Sequence, residues 1–497
     1  MAKQSTAFAL PLLPRAPGEP AARWLCEALR SAILDGRLRP GARLPPSRDL
    51  ARQHGLSRGT IVTAFERLAS EGYVQGTVGS GTYVSLTLPE ELLQVARQPA
   101  GGPPRPGPAP RRLSTFARRA REFPQYSVRP TRAFRTDLPA LDLFPTTLWA
   151  QLAGRRLRRA TTSLLMGCPP QGYRPLQEAV AEYLAASRGV HCAAEQVAIV
   201  SGVQQALELT GRVVLNPGDP VCMENPGYPG AALAFEAAGA RMIWVGVDGE
   251  GMLMPSSGRR RLAYVTPGHQ FPLGISMSLA RRLALLEWAR VSRALIFEDD
   301  YDSEFRYAGR PVPALQSLDR HGVVLFAGSF SKVLFPSLRL GYLVIPADLV
   351  DRFAAVLSLS SRHAPLLEQA ILCDFIAEGH FGRHIRRMRE VYAERLSVLL
   401  KGARRHLDGL LDLIGVEAGL QMAGWLREGI DEGRVTAAAA RREVDVTPLS
   451  RYVRTGRRVD NGGRPGLQLG FAAVDPEEIR RGVRELGIAL EEARVRD

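Results

Sequence analysis

Apolar residues at the front of the chain recur with helical spacing. Trp24, Leu25, Ala28, Leu29, Ala32 and Ile33 fall on one face of a helix that Pro20 opens and Gly36 closes. A second, short helix is predicted from Ser47, a favourable N-cap residue, to Gly55. A third runs from Ser57 to near Gly72 with Ile61, Val62, Phe65, Leu68 and Ala69 turned inward, and only a tight turn fits between Gly55 and Ser57. Tyr73-Val74 and Thr82-Tyr83-Val84 then read as two strands around the glycine-rich stretch Gln75 to Gly81, which suits a hairpin. The pattern is that of a helix-turn-helix followed by a wing.

From about residue 87 the pattern stops. Residues 99–112, PAGGPPRPGPAPRR, have no aliphatic side chain larger than alanine and cannot bury a core, so an extended, semi-stiff tether is predicted. From about residue 134 a different rhythm begins. Short apolar runs at 241–247, 262–266, 294–298 and 323–327 alternate with helical patterns such as LARRLALLEWAR at 279–290. That alternation predicts an α/β fold with a mostly parallel sheet covered on both faces. After about 345 a small C-terminal lobe is expected, with a long helix and a strand near Gly466 to Ala472. The domains are therefore expected at 18–86, 87–133 and 134–497.

Charge changes the picture of the front segment. Of the +15 net charge, residues 1–135 carry +12, with 21 Lys and Arg against 9 Asp and Glu. A polyanionic partner, double-stranded DNA, is the expectation that fits a helix-turn-helix. On the third helix Arg58, Gly59, Thr60 and Thr63 lie on the outer, N-terminal side, which enters a major groove in such proteins. The bland alternative is a three-helix interaction module with solvated arginines. Residues 111–135 hold eight arginines and one acid, which suits a non-specific DNA contact or a solvated linker. The five cysteines show no paired or metal-binding spacing, so reduced thiols and no metal are expected. Without an apolar run of membrane-spanning length or a secretion signal, a cytoplasmic location and no membrane partner are expected.

The candidate chemistry centres on Lys332. Lys3, Lys332 and Lys401 are the only lysines in a chain with 65 Lys and Arg, so this one was not placed for bulk charge. It lies in the apolar stretch SFSKVLF, where an amine but not a guanidinium can condense with an aldehyde. Taken alone it reads more readily as a lysine snorkelling at a core rim, and its neighbours reverse that. Upstream stands Ile296-Phe297-Glu298-Asp299-Asp300-Tyr301 and downstream Arg339. Pyridoxal phosphate needs an amine, a carboxylate for its ring nitrogen, a hydroxyl for its ring oxygen, and cations or helix-end amides for its phosphate. Each is present.

With these residues the chain resembles fold-type I aminotransferase-like proteins, and within them the MocR subfamily of GntR-type regulators. RLPPSRDLA, SRGTIVTAFERLASEGYV and GSGTYV are similar to the GntR winged helix. The resemblance implies an aldimine at Lys332, a pyridinium partner in Asp299, a ring-oxygen hydrogen bond from Tyr301 and phosphate contact by Arg339. It further implies phosphate-binding hydroxyls in Ser329 and Ser331, and a phosphate loop at Ser201 with Gly202, Val203 and Gln204. Tyr228 resembles the aromatic that stacks on the cofactor. His269 stands on the ring-oxygen side, its alternative being an ordinary core histidine. Phosphate or base contact is implied for Arg43, Ser47, Arg48, Ser57, Arg58 and Thr60, and wing contact for Gly79. A homodimer and a small-molecule effector are implied as well.

Two positions depart from the aminotransferase pattern. Gln468, in GLQLGFA, stands where an arginine grips a substrate carboxylate, and Gly167 falls near the place of a tyrosine that reaches a partner's phosphate. Arg451, Arg454 and Arg464 are candidates to replace the missing arginine. Three readings remain: a regulator sensing pyridoxal phosphate, alone or with an amine or amino acid; a working aminotransferase fused to a DNA-binding domain; and a regulator whose large domain is a scaffold with an empty site.

Overall fold

The computed structural model describes residues 15–16, 18–77, 81–88, 111–121, 130–255, 258–307, 313–454 and 464–494. The chain divides into two compact units, Met1–Arg111 and Arg112–Asp497.

In the first unit, helices α1 (Ala21–Leu34), α2 (Ser47–His54) and α3 (Arg58–Ser70) enclose Leu25, Leu29, Ile33, Leu50, Ile61 and Leu68, all at most 2% exposed. Gly55 ends α2 in the left-handed region, φ 63°, and donates its N–H to Ala51. Ser57 caps α3 by accepting the N–H of Thr60. Strands β1 (Val74–Thr77) and β2 (Gly81–Val84) pair antiparallel as the wing, and Leu44 donates to the Thr82 carbonyl at 2.8 Å.

Two sequence expectations here need correction. Val62 and Ala69 are exposed, and Ala64 takes the inward place. The reason is geometric: Ile61, Ala64 and Leu68 are three and four apart, whereas Val62 is turned about 100° from Ile61. Ser47 is the first helical residue rather than the cap, and Pro46 holds the cap position with extended backbone and no side-chain bond.

The second unit begins with a short helix, α4 (Thr115–Arg119), capped by Ser114. It packs beside the helix Pro229–Ala238, and the guanidinium of Arg212 lies 5.9 Å from the Phe116 ring centroid. Of the stretch predicted as a tether, 99–110 lies outside the described residues. The chain is tied down earlier than expected: Ala133 and Phe134 are fully buried, bridging Val444 and Gly470.

The main sheet uses β3 (Val197–Val200), β4 (Pro220–Asn225), β5 (Arg241–Asp248), β6 (Gly251–Met252), β7 (Leu262–Val265), β8 (Leu295–Asp300), β9 (Val324–Ser329) and β10 (Gly341–Val344). Its order is β3-β10-β9-β8-β7-β4-β5-β6. The run from β9 to β5 is parallel, β10 is antiparallel to both neighbours and β6 is antiparallel to β5. Successive residues enter opposite cores, Ile296 and Phe326 on one face, Phe297 and Leu325 on the other. Continuous apolar runs are what a sheet covered on both faces requires.

The C-terminal lobe has an antiparallel sheet of β11 (Leu411–Leu413), β12 (Gln421–Leu426), β13 (Thr447–Pro448) and β14 (Gly466–Gly470), in the order β11-β12-β14-β13. Met422, Leu426, Leu467 and Leu469 join the core on one face, shared with the helix Pro476–Ala493. The other face carries Gln421, Ala423 and Gln468. Ala423 packs with Phe271 and Tyr452 beside Tyr228 and Tyr301.

Candidate functional site

Parallel strands β8 and β9 deliver the central residues. Asp299 is the penultimate residue of β8, one step inside the strand rather than past it, and Tyr301 follows the strand's end. Ser329 ends β9 and caps the one-turn helix Phe330–Val333 that carries Lys332. The Lys332 ammonium lies 2.8 Å from Asp137 Oδ1 and donates to the Asp137 carbonyl at 3.3 Å. Asp137 has a left-handed backbone, φ 68°, rare for a non-glycine residue and a form of strain found at functional sites. Its N–H donates to Gln421 Oε1 at 3.2 Å.

Asp299 is 4% exposed. Its Oδ2 accepts from the Tyr264 hydroxyl at 2.7 Å, while Oδ1 is buried with no partner among the described residues. Burial pushes its carboxyl up to about 7, opposed by the Tyr264 hydrogen bond and by the charge of Lys332. An orphaned, buried acceptor of this kind calls for a cationic donor.

His269 and Tyr301 form a chain. The His269 Nδ1 lies 2.9 Å from Asp302 Oδ1 and 3.0 Å from the Tyr301 hydroxyl. Asp302 is 1% exposed and also accepts from the Leu420 N–H, so it anchors the Nδ1 side of the ring, while the buried Nε2 has no partner among the described residues. Burial holds the Tyr301 hydroxyl well above its ordinary pKa, so it remains a proton donor.

A third group gathers where β3 turns into the helix Val203–Val214. Gly202, at φ 90°, is its N-cap, and Arg339 donates to the Ser201 carbonyl at 3.0 Å. The backbone at Gly202 favours glycine, and the helix-start amides lie beside that guanidinium. Gln204 uses its side chain to hold the Gly230 carbonyl, leaving its amide and that of Val203 at the helix start. Gly230 is obligatory, because a Cβ there would lie 2.6 Å from both Gln204 and the ring of Tyr228. Tyr228 meets Phe271 edge-on at 5.5 Å. Ser329 and Ser331 are buried, and Ser331 turns its hydroxyl to the Leu340 carbonyl at 3.4 Å.

Sequence reasoning missed Asp137, Tyr264, Asp302 and Gln421, because nothing local marks a partner that is distant along the chain. Of the arginines considered as substitutes near Gln468, Arg454 lies over Trp244 at 5.9 Å, Arg464 pairs with Asp412 at 3.2 Å, and Arg451 is exposed. At Gly167, φ 127°, a side chain would meet the ring of His363.

In the first unit Arg43, Arg48, Ser57 and Arg58 are exposed, and Ser47 and Thr60 are half-buried. They lie on α2, α3 and the segment that pairs with the wing. The Ser57 hydroxyl is 2.9 Å from that of Thr60 and is engaged in the cap. Gly79 lies outside the described residues.

Residues 143–486 match the aminotransferase class I and II family, and residues 22–84 match the gntR family of bacterial regulatory proteins. Over 482 residues the chain is 40% identical to the probable rhizopine catabolism regulatory protein MocR of Rhizobium meliloti, covering 96% of this chain and 95% of that protein. This chain belongs to the MocR subfamily of GntR-type regulators. Among further relatives, the HTH-type pyridoxine biosynthesis transcriptional regulator PdxR of Corynebacterium glutamicum is 31% identical over 478 residues, 94% of this chain and 95% of that protein. The crystal structure of LysN, an alpha-aminoadipate aminotransferase of Thermus thermophilus complexed with N-(5'-phosphopyridoxyl)-L-leucine, superposes with a TM-score of 0.68. It is 30% identical, covering 77% of this chain and 97% of that one. The MocR-type architecture thus joins a DNA-binding helix-turn-helix to an aminotransferase fold. Among the described residues, no helix is long and apolar enough to cross a membrane, and no cluster of three or more His, Cys, Asp or Glu is arranged to hold a metal.

Proposed function

We propose that this MocR-type regulator binds pyridoxal 5'-phosphate at Lys332 and uses its aminotransferase-like domain to sense that cofactor, alone or with an amine or amino acid. The supporting observation is the buried, unpartnered Oδ1 of Asp299 in the same site as Lys332, an acceptor that fits a protonated ring nitrogen. Pyridoxal phosphate supplies an aldehyde that condenses with amines and a ring that withdraws electrons.

The chain's own residues orient it. Lys332 offers the amine, and Asp137 beside it holds that amine in place. Tyr264 holds Asp299 in place for the ring nitrogen. The Tyr301, His269 and Asp302 chain positions a donor for the ring oxygen, and Tyr228 covers a ring face. Arg339, Ser329, Ser331 and the amides following Gly202 receive the phosphate. Arg43, Ser47, Arg48, Ser57, Arg58, Thr60 and Gly79 engage the operator, a double-stranded DNA, through phosphates and base edges.

The working unit is a homodimer in which paired readers meet paired half-sites, the reader spans 18–86 and the effector domain 134–497 with α4 of the 87–133 linker packed in the second unit, and the regulated genes serve vitamin B6 or amino-compound metabolism. Its ligand shifts DNA affinity by its differential affinity for the two states and no more. The alternative, an active aminotransferase fused to a DNA-binding domain, draws on the overlap with LysN. Against it stands Gln468, fully buried and bonded to Tyr452 where a carboxylate grip would be charged.

The test is an absorbance titration with pyridoxal phosphate, then amines, run beside an operator mobility shift. Borohydride reduction should fix the cofactor on the peptide containing Lys332, and ligand should change operator affinity. An unmodified peptide in saturated protein would leave a repressor with an unused shell.

A further inference from the structure

We infer that the effector pocket beside Lys332 selects primary amines bearing neutral oxygens, hydroxyl or carbonyl, over amines bearing a carboxylate. The inference rests on the cofactor reading above and names the ligand class for the same site.

Two buried glutamines carry it. In the register of β12 and β14, Gln421 opposes Gly470 and Ala423 opposes Gln468. Opposed and alternate residues share a face, so Gln421, Ala423 and Gln468 project on one side of the small sheet as diagonal cross-strand neighbours. That side is the one on which Ala423 packs with Phe271 and Tyr452 beside Tyr228 and Tyr301. Gln421 is 2% exposed and Gln468 fully buried.

Each amide is oriented by one bond and leaves the other end open. Gln421 Oε1 accepts from the N–H of Asp137, the residue paired with Lys332. Gln468 Oε1 accepts from the Tyr452 hydroxyl at 2.9 Å, and Tyr452 lies within the electrostatic reach of both Asp137 and Lys332. In both cases the Nε2 group is buried with no partner among the described residues. The Asp137 N–H can only donate, so Gln421 cannot flip without losing that bond and presents N–H; Gln468 presents N–H with the Tyr452 hydroxyl as its donor. Buried donors without partners are costly, and a ligand oxygen that satisfies them recovers that cost.

The charge pattern decides which oxygen. Neither glutamine carries charge, while the Asp137 carboxylate stands 2.8 Å from the lysine nitrogen. An anion facing the entering group attracts an ammonium and repels a second carboxylate, and two neutral donors do not offset that repulsion as a guanidinium would. Hydroxyl or carbonyl oxygens accept from the same donors without the penalty. A site built to hydrogen-bond such oxygens also rejects amines that lack them.

The experiment uses the full-length, cofactor-loaded chain and three probes of one shape. L-serine and serinol differ by a carboxylate against a hydroxymethyl group, and isopropylamine has neither oxygen. Half-saturating concentrations are read from the visible spectrum, from intrinsic fluorescence and from operator affinity. Serinol should act at about tenfold lower concentration than either of the others. Gln468→Arg should bring L-serine below serinol. Gln421→Met should shrink the ratio between the serinol and isopropylamine values toward one, the ratio being the readout because Gln421 also holds Asp137. L-serine binding as tightly as serinol, serinol binding no better than isopropylamine, or no response to any amine would each overturn the inference, even if the Gln468 variant fails to fold. A chain that takes up no cofactor before amines are added overturns the underlying reading too, which separates the two failures.

Discussion

The residues proposed for DNA in the first unit and those around Lys332 in the second are polar in opposite ways. Arg43, Arg48, Ser57 and Arg58 are exposed, in water, where each cation is screened and acts by adding to its neighbours. Asp299, His269, Gln421 and Gln468 are 4%, 3%, 2% and 0% exposed, and each keeps one polar atom without a described partner. A surface reader therefore degrades gradually as residues are removed. A buried site carries its desolvation cost in advance and fails abruptly.

The sharpest way to break that comparison is Lys332→Ala. Visible absorption on adding pyridoxal phosphate should vanish and operator affinity should stop responding to ligand, while operator binding itself persists. A spectrum like that of the unsubstituted chain would remove the buried site from the argument.

Next in size is the pH response of the cofactor-free protein. Burial pushes Asp299 up to about 7, so between its ordinary value and about 7 only the folded state holds the proton, and stability falls as pH rises through that window. The slope is of order 1 kcal/mol per pH unit for one such group. Asp299→Asn should lower the slope by that amount, the remainder belonging to Glu224 and Glu298, which burial also pushes up to about 7, measured as urea midpoints from about pH 4 to about pH 7. Equal slopes in the two proteins would mean that the carboxyl is solvated when folded.

On the surface the effects are smaller. Arg58→Ala should weaken operator binding by about tenfold, ~1.4 kcal/mol, leaving cofactor absorption untouched. If Arg58 contacts a phosphate, the salt dependence should also lose about one ion. Ser57→Ala removes the cap on α3 and should cost about 1 kcal/mol of stability, read as a lower melting midpoint. A full-strength footprint for Arg58→Ala would take that residue out of the reading surface.

What was legible in the sequence follows the same division. Helices α1 to α3 and strands β5, β7, β8 and β9 were written in local periodicity, so they were found with boundaries shifted by a residue or two, whereas β4, β6 and β10 were not expected and the first wing strand runs on to Thr77. Val62 and Ala69 were misplaced because an apolar side chain one step off the buried stripe looks no different in a list of residues. Lys332, Asp299 and Arg339 were legible because the chemistry of one cofactor demands them together. Their partners were not. Asp137 reaches Lys332 across 195 positions, Tyr264 reaches Asp299 across 35, and Asp302 reaches His269 across 33. Burial pattern says that such a side chain is inside, and only topology says what it meets. Gln468 shows the limit from the other side: its departure from the family pattern was visible, but its buried donor without a partner among the described residues was not.

The short stretch from Ala133 to Asp137 deserves a mechanical reading. Phe134 and Asp137 both hold left-handed backbone, Phe134 is stitched to Gly470 and Asp137 to Gln421, and the carboxylate of Asp137 rests on the reactive amine. They follow α4, which already packs in the large unit. With its two ends held at Gly470 and Gln421, the stretch cannot shift without carrying the lysine's counter-ion along.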